Sequence, residues 1–304
     1  MYPQTLGQWW SYLSSMSSSV LQAAGVFACL WLWINRRNLR DALQRVVPRS
    51  LRFNLLVLLF DLVAVILPLS YLSAILQGFL RSHGLVLLNG QYFAHLHPIA
   101  VVVLAIFAGD FIAYWRHRLE HSRWLWPAHV MHHSDTDMNW VTVYRFHPVN
   151  RLTTVIIDYG SLVLLGFPPF AVALNGVFRS YYGMWVHANV PWTYGRLGKW
   201  LVSPAMHRWH HVREGAGVGS NFGSVFAVFD RAFGTFYLPG PCDQPLGVQD
   251  VDDNSFVKQL AYPLTALTAP GKRWLAKVVR RGSKRDPVAD PLVPPTSRQA
   301  QQLP

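Results

Sequence analysis

The chain has 304 residues, 51% hydrophobic and only 14% charged, with 27 Lys and Arg against 15 Asp and Glu for a net charge of +12. A soluble globule normally carries about 25% charged residues, so this composition excludes an ordinary soluble domain and points to a membrane. Two distant cysteines, Cys29 and Cys242, support neither a disulfide framework nor an iron–sulfur cluster and read as plain thiols.

In chain order, the Ser-rich first 18 residues lack a basic start, so no cleaved signal peptide is expected. Residues 17–34 form a first, short predicted span ending in Trp31 and Trp33, which suit an interface. Residues 53–77 form a second, broken by Asp61 and Pro68, and residues 99–115 a third. Residues 152–186 are predominantly apolar. As one helix they would measure about 52 Å, against a hydrocarbon core of about 30 Å. Pro168 and Pro169 near their middle predict a helical hairpin dipping into the bilayer. The expected fold is an all-α, multi-pass integral membrane protein with about four transmembrane helices, the hairpin included, and a histidine-rich helical cap. From about residue 283 the chain becomes rich in Pro, Gln and Ser, and disorder is expected there.

Orientation follows from arginine. Arg36, Arg37, Arg40, Arg45, Arg49 and Arg52 crowd one short loop against Asp41 alone, which places that loop in the cytoplasm. Alternating the spans then puts 116–151 and 187–304 on the cytoplasmic side. The C-terminal basic run (Lys272, Arg273, Lys277, Arg280, Arg281, Lys284, Arg285) suits anionic lipid headgroups rather than nucleic acid.

Ten of the 13 histidines fall between residues 117 and 211. His117 and His121 make an HxxxH box; His129, His132 and His133, and again His207, His210 and His211, make HxxHH boxes. Residues three and four apart share a helix face, so each box projects its imidazoles together. Neutral imidazole is a good ligand for iron, zinc and copper. The only glutamates are Glu120 and Glu214, too few for a carboxylate-bridged di-metal bundle. A histidine-only, two-metal site is the reading that remains.

The surrounding residues extend the pattern. Asp110 leads into His117-Arg-Leu-Glu-His121, then Leu125-Trp126-Pro-Ala-His129-Val-Met-His132-His133 and Arg145-Phe-His147-Pro148. After the hairpin come His187-Ala-Asn189, Ser203-Pro204-Ala-Met-His207-Arg-Trp-His210-His211, Asn221-Phe-Gly223 and Phe229-Asp230-Arg231-Ala-Phe233-Gly234-Thr235. This order and spacing resemble the fatty acid hydroxylase superfamily, the sterol desaturase-like membrane di-iron oxygenases, over about residues 99–240. Phe229 stands where that family often has Trp, and Gly219-Ser220 where an acidic residue is common. The resemblance implies two iron ions, replaceable by zinc in recombinant protein, with O2 as co-substrate and a membrane lipid (sterol, fatty acyl, sphingoid or ether lipid) hydroxylated or desaturated. It further implies ten ligands: His117, His121, His129, His132, His133, His147, His187, His207, His210 and His211. On this basis the chain divides into an N-terminal membrane segment (1–98), a catalytic domain (99–240) and a C-terminal basic segment with its tail (241–304). With no haem box of a fused cytochrome b5 and no nucleotide fingerprint in the sequence, electrons are expected from a separate reductase, ferredoxin or cytochrome b5-type protein.

Other residues carry narrower expectations. Asp110 shares a helix face with Tyr114, His117 and His121, which suggests that its carboxylate supports a ligand ring. Asp61 and Asp158 suit helix–helix pairing, the latter with Arg179. Asn221 and Asp230 read as structural or supporting residues, and Trp124, Trp126, Trp192, Trp200 and Trp209 as an interfacial belt. Two rivals remain: a non-catalytic metal-binding membrane protein, and a zinc peptidase using His117-x-x-Glu120-His121. The second leaves both HxxHH boxes unexplained.

Overall fold

A computed structural model of the chain describes residues 6–36, 49–88, 91–249, 251 and 255–266. Arg37, Arg40 and Arg45 of the predicted cytoplasmic loop, the basic run from Lys272 and the expected disordered tail all lie outside these residues.

The described residues are helical, with no strand and only two isolated bridges, Leu201 with Phe226 and Val212 with Leu246. Helix α1 spans Leu6–Asn35. Helix α2 comprises Arg49–Phe60, a π turn at Asp61–Val65, and Ile66–Ser82. Helix α3 is Pro98–Glu120 and α4 is Trp126–His133. Helix α5 runs through Pro148–Thr153, a second π turn at Thr154–Tyr159, and Gly160–Leu164. Then follow α6 (Pro169–His187), α7 (Pro204–His210), α8 (Val228–Ala232) and α9 (Phe256–Ala266). Helices α3, α5, α6 and α7 each open on proline, where the missing N–H costs nothing.

Two of these helices, Ser50–Ser82 and Pro98–Glu120, are long and apolar enough to cross a membrane. The apolar part of α1, Leu21–Ile34, is shorter. Contrary to expectation, Asp61 and Pro68 do not break the second span. A proline disrupts the turn four residues before it, here Ala64, which lies in the π turn; the wider ladder takes up the mismatch. The expected hairpin is present as α5 and α6, joined by a tight turn. Gly166 stands there at φ +82°, where a side chain would collide with the Leu88 carbonyl.

Small residues let α3, α5 and α6 approach closely. Val101, Ala105, Leu162, Phe167 and Ala171 form one buried cluster, and a Cβ on Gly109 would come within 2.7 Å of the Asn175 amide. Charges inside this bundle are paired. Asp158 accepts from Arg116 at 2.7 Å and, as its sequence context suggested, from Arg179 at 3.1 Å. Asp61 pairs with Arg151 at 2.7 Å. Removing one partner of a buried ion pair strands the other charge, at a cost of about 3–5 kcal/mol. Asp158→Ala, which removes the carboxylate shared by Arg116 and Arg179, is expected to lower the thermal midpoint of the detergent-solubilised protein sharply. Asp137→Ala, at an exposed carboxylate, is expected to leave it near the wild-type value, and a melting curve of each checks both.

Candidate metal centre

The C-terminal end of α3 delivers His117 inside the helix and His121 as its cap, whose backbone N–H donates to the His117 carbonyl. Helix α4 brings His129, His132 and His133; α6 ends on His187; α7 carries His207 and His210, with His211 as its cap. The nine rings converge as two adjoining groups: His117, His121, His129, His133 and His210, and His132, His187, His207 and His211. Each HxxHH box is shared between them. Residues i and i+4 lie about 40° apart around a helix, whereas i+3 and i+4 lie about 100° apart. Hence His129 and His133 enter the first group and His132 the second, while His207 and His211 enter the second and His210 the first. The groups abut where the rings of His133 and His211 stack at 4.4 Å.

Hydrogen bonds on the outer nitrogens fix how three rings point. His117 Nδ1–H donates to the Phe222 carbonyl at 2.9 Å, His210 Nδ1–H to that of Ser220 at 2.6 Å, and His187 Nδ1–H to that of Gly183 at 2.7 Å. A neutral ring so bonded turns a lone pair inward from Nε2. In the first group, His117 Nε2 and His210 Nε2 stand 3.0 Å apart and His117 Nε2 and His129 Nε2 3.1 Å apart. In the second, His187 Nε2 lies 3.2 Å from His132 Nε2 and 3.1 Å from His207 Nε2.

The contact between His117 and His210 is the most telling. Both rings already hold their proton on the outer nitrogen, so two lone pairs face each other at 3.0 Å, a repulsive arrangement without a cation between them. Imidazoles bound to one metal at about 2.0–2.1 Å place their nitrogens roughly 3.0–3.4 Å apart, which matches these separations. His121 Nε2, His133 Nε2 and both nitrogens of His211 are buried without any hydrogen-bond partner. Burial, reinforced by neighbouring imidazoles, holds His121, His129, His132, His133, His207 and His211 well below the ordinary imidazole range. Burial also lowers His210, to about 4. Neutral, inward-facing and unpartnered, these nitrogens fit metal ions.

Three expectations need correction. His147 joins neither group: its Nδ1 caps α5 by accepting from Val149 N–H at 3.1 Å, and its Nε2–H donates to the Leu260 carbonyl at 3.0 Å. Both ring nitrogens are engaged, so nine of the ten expected histidines converge. Asp110 touches no imidazole; it accepts the backbone N–H groups of Val225 at 3.1 Å and Phe226 at 2.8 Å. Trp126 is buried against His121 and His133 rather than placed at an interface, while Trp124 and Trp200 are exposed. Asn189, beside His187 in sequence, points outward.

Sequence reasoning missed the groups that flank the rings. Glu120, expected only as a rival's base, is buried in a bidentate role: it accepts from Arg116 at 2.7 Å and from Thr153 at 2.5 Å, with His129 Nδ1 3.5 Å away. An Arg-bound carboxylate of this kind is not free to activate water. Asn150 presents its amide to His129 Nδ1 at 3.2 Å, and its Oδ1 is otherwise unpartnered, so rotation of the amide lets Oδ1 accept the ring N–H. Phe146 stacks on His132 at 4.4 Å. Asn150 lies three residues after His147, a spacing that could have marked it. The backbone carbonyls of Gly183, Ser220 and Phe222 leave no trace in a sequence.

A helical protein with two abutting all-imidazole groups at one end of a membrane-length helix has the architecture of a histidine-ligated metalloprotein. The fatty acid hydroxylase family matches residues 102–235, which form a domain of that family and contain all nine converging histidines. The chain is 31% identical over 166 residues to an ornithine lipid hydroxylase of Rhizobium tropici, covering 54% of this chain and 50% of that protein. It is 36% identical over 128 residues to human alkylglycerol monooxygenase, covering 42% of this chain and 28% of the other. A very-long-chain aldehyde decarbonylase of Oryza sativa is 26% identical over 228 residues, 74% of this chain and 80% of that protein. The chain therefore spans half the length of the first of these relatives and less of the second. No solved structure matches significantly.

The two-group geometry makes a selective prediction. In detergent-purified protein loaded with iron or zinc, His121→Ala is expected to weaken one bound ion and His207→Ala the other. Each loss should exceed the roughly 10- to 100-fold typical of a lost supporting partner. His147→Ala should weaken neither. Metal analysis after equilibrium dialysis reads all three.

Proposed function

We propose that this protein is a membrane-bound, non-haem di-iron oxygenase that hydroxylates a lipid. The observation that carries the reading is the pair of lone pairs held 3.0 Å apart between His117 and His210, within nine buried imidazoles of a fatty acid hydroxylase domain. Irons held by His117, His121, His129, His133 and His210 and by His132, His187, His207 and His211, given O2 and two electrons, would supply an oxidant able to attack an unactivated C–H bond.

The chain's residues contribute the rest. Nine histidines shared between two ions would leave coordination positions open, as a catalytic site requires. Nδ1–H bonds to Phe222, Ser220 and Gly183 keep the rings in the binding tautomer and increase their basicity. Burial excludes water, which protects a reactive oxidant from side reactions. Since the histidines follow directly on the last turn of α3, a helix of membrane length, the reacting carbon belongs near the polar end of a lipid rather than at its methyl terminus. The names of the bacterial and human relatives, a hydroxylase of ornithine lipid and a monooxygenase of alkylglycerol, support a polar-headed lipid as substrate. Electrons would come from a separate redox protein docking on the cytoplasmic side, the side favoured for the site by the arginine-rich stretch from Arg36 to Arg52.

The peptidase alternative requires Glu120 as a free base, whereas Arg116 and Thr153 occupy it. A metal-binding role without catalysis gains nothing from the match to a hydroxylase family.

Lipid analysis of cells with and without the gene, grown under 18O2, tests the reaction. The expected product carries one labelled hydroxyl, and His210→Ala abolishes it while leaving membrane insertion intact. Product formed without oxygen, or retained in His210→Ala, would sink the reading. Orientation is read separately: in intact cells Glu214→Cys should resist an impermeant thiol reagent while His95→Cys reacts.

A further inference from the structure

Two rings of the five-histidine group, His117 and His210, come from boxes far apart in sequence, yet both lean on one short segment. His210 Nδ1–H donates to the carbonyl of Ser220 and His117 Nδ1–H to that of Phe222. In an extended strand, carbonyls two residues apart stand about 7 Å from each other, whereas these two rings are centred only 4.4 Å apart. The residue between them, Asn221, has φ +59°, in the left-handed region that few residues other than Gly and Asn occupy. That turn bends the segment so that both carbonyls serve neighbouring rings.

The bend is clamped from three sides. Asn221 Nδ2 donates to the carbonyls of Met206 at 2.9 Å and Tyr237 at 2.6 Å, and its Oδ1 accepts from Tyr237 N–H at 2.7 Å. Met206 precedes His207 on α7, so the clamp ties the segment to the helix of the third box. Asp230 accepts the N–H groups of Phe222 at 2.7 Å and Gly223 at 2.8 Å, and the Thr235 hydroxyl at 2.6 Å. Glycine is required at 223, since a Cβ would lie 2.8 Å from both Asp230 Oδ2 and the Phe226 carbonyl. Asp110 takes the N–H groups of Val225 and Phe226. All three polar residues are fully buried, and none touches an imidazole.

We propose that residues 220–226 form a backbone strap that sets the tautomer and direction of His117 and His210, with Asn221, Asp230 and Asp110 as its positioning residues. The proposal rests on the metal-binding reading of the five-histidine group. It assigns a role to Asp110 that sequence spacing located only in part: the carboxylate supports a ligand ring through the backbone of another segment.

Cobalt(II) provides the test, using the full-length protein stripped of metal in detergent. Wild type should take up two ions with visible absorption bands that report ligand direction. Asn221→Gly keeps the left-handed backbone but loses the clamp; Asn221→Ala loses both. Each is expected to retain wild-type helical circular dichroism and bind one ion normally. The other ion should bind about 10- to 100-fold more weakly with shifted bands, the alanine variant worse. The weakened ion must be the one that His207→Ala leaves intact. If Asn221→Ala does not fold, Asn221→Gly decides. Wild-type affinity and spectrum for both ions in Asn221→Gly would overturn the strap and leave the metal reading standing, whereas a wild type that binds no cobalt would overturn both.

Discussion

When two imidazole nitrogens 3.0 Å apart turn their lone pairs toward each other, the contact is repulsive until a cation sits between them, and the fold is organised to hold that contact. Four helix ends meet there: those of α3, α4, α6 and α7. Helix ends suit the task because the final turn is free of the ladder that follows, so a capping histidine such as His121 or His211 can stand beside the ring one turn earlier. The electrostatic cost is contained by keeping the rings neutral. Burial disfavours protonation of every ring in the two groups that lies beyond the membrane-length helix, which preserves lone pairs for metal.

A second set of buried charges supports this arrangement from the membrane side. Glu120, Arg116, Asp158, Arg179 and Asp110 are linked in sequence of contact, from beside His129 to the segment that carries Phe222. Three carboxylates against two guanidinium groups leave this series of side chains formally negative. Such a series would lower the energy of a cation held at its end, and it locks α3 against α5 and α6. Isolated charges would be costly in an apolar bundle; paired in this way they are held by partners on both sides. Asp158 reaches both arginines from within the π turn at Thr154–Tyr159.

The site also shows why a short motif is a weak guide. HxxEH reads as a zinc peptidase, and the glutamate does lie next to a converging histidine. Its two oxygens, though, are taken by Arg116 and Thr153, and the two histidines share their group with three others. Identity of residue types is the same in both readings; the hydrogen-bond partners separate them.

Much of the chemistry was legible in the sequence because helical spacing is local. HxxxH and HxxHH project rings from one helix whatever the remaining fold does, and nine of the ten expected histidines do converge. Composition and apolar runs likewise marked two helices of membrane length and a proline-broken hairpin, since hydrophobic length follows from residue count alone. Tertiary structure decided what depends on distant partners. His147 looked like a ligand beside its proline, but the carbonyl of Leu260 and the first turn of α5 claim its two nitrogens. Asp110 had the right helical face, yet backbone N–H groups more than a hundred residues away occupy its carboxylate. The partition of each HxxHH box into two groups, and the carbonyls that orient the rings, arise from packing between helix ends, and no one-dimensional pattern encodes which end a given ring will meet.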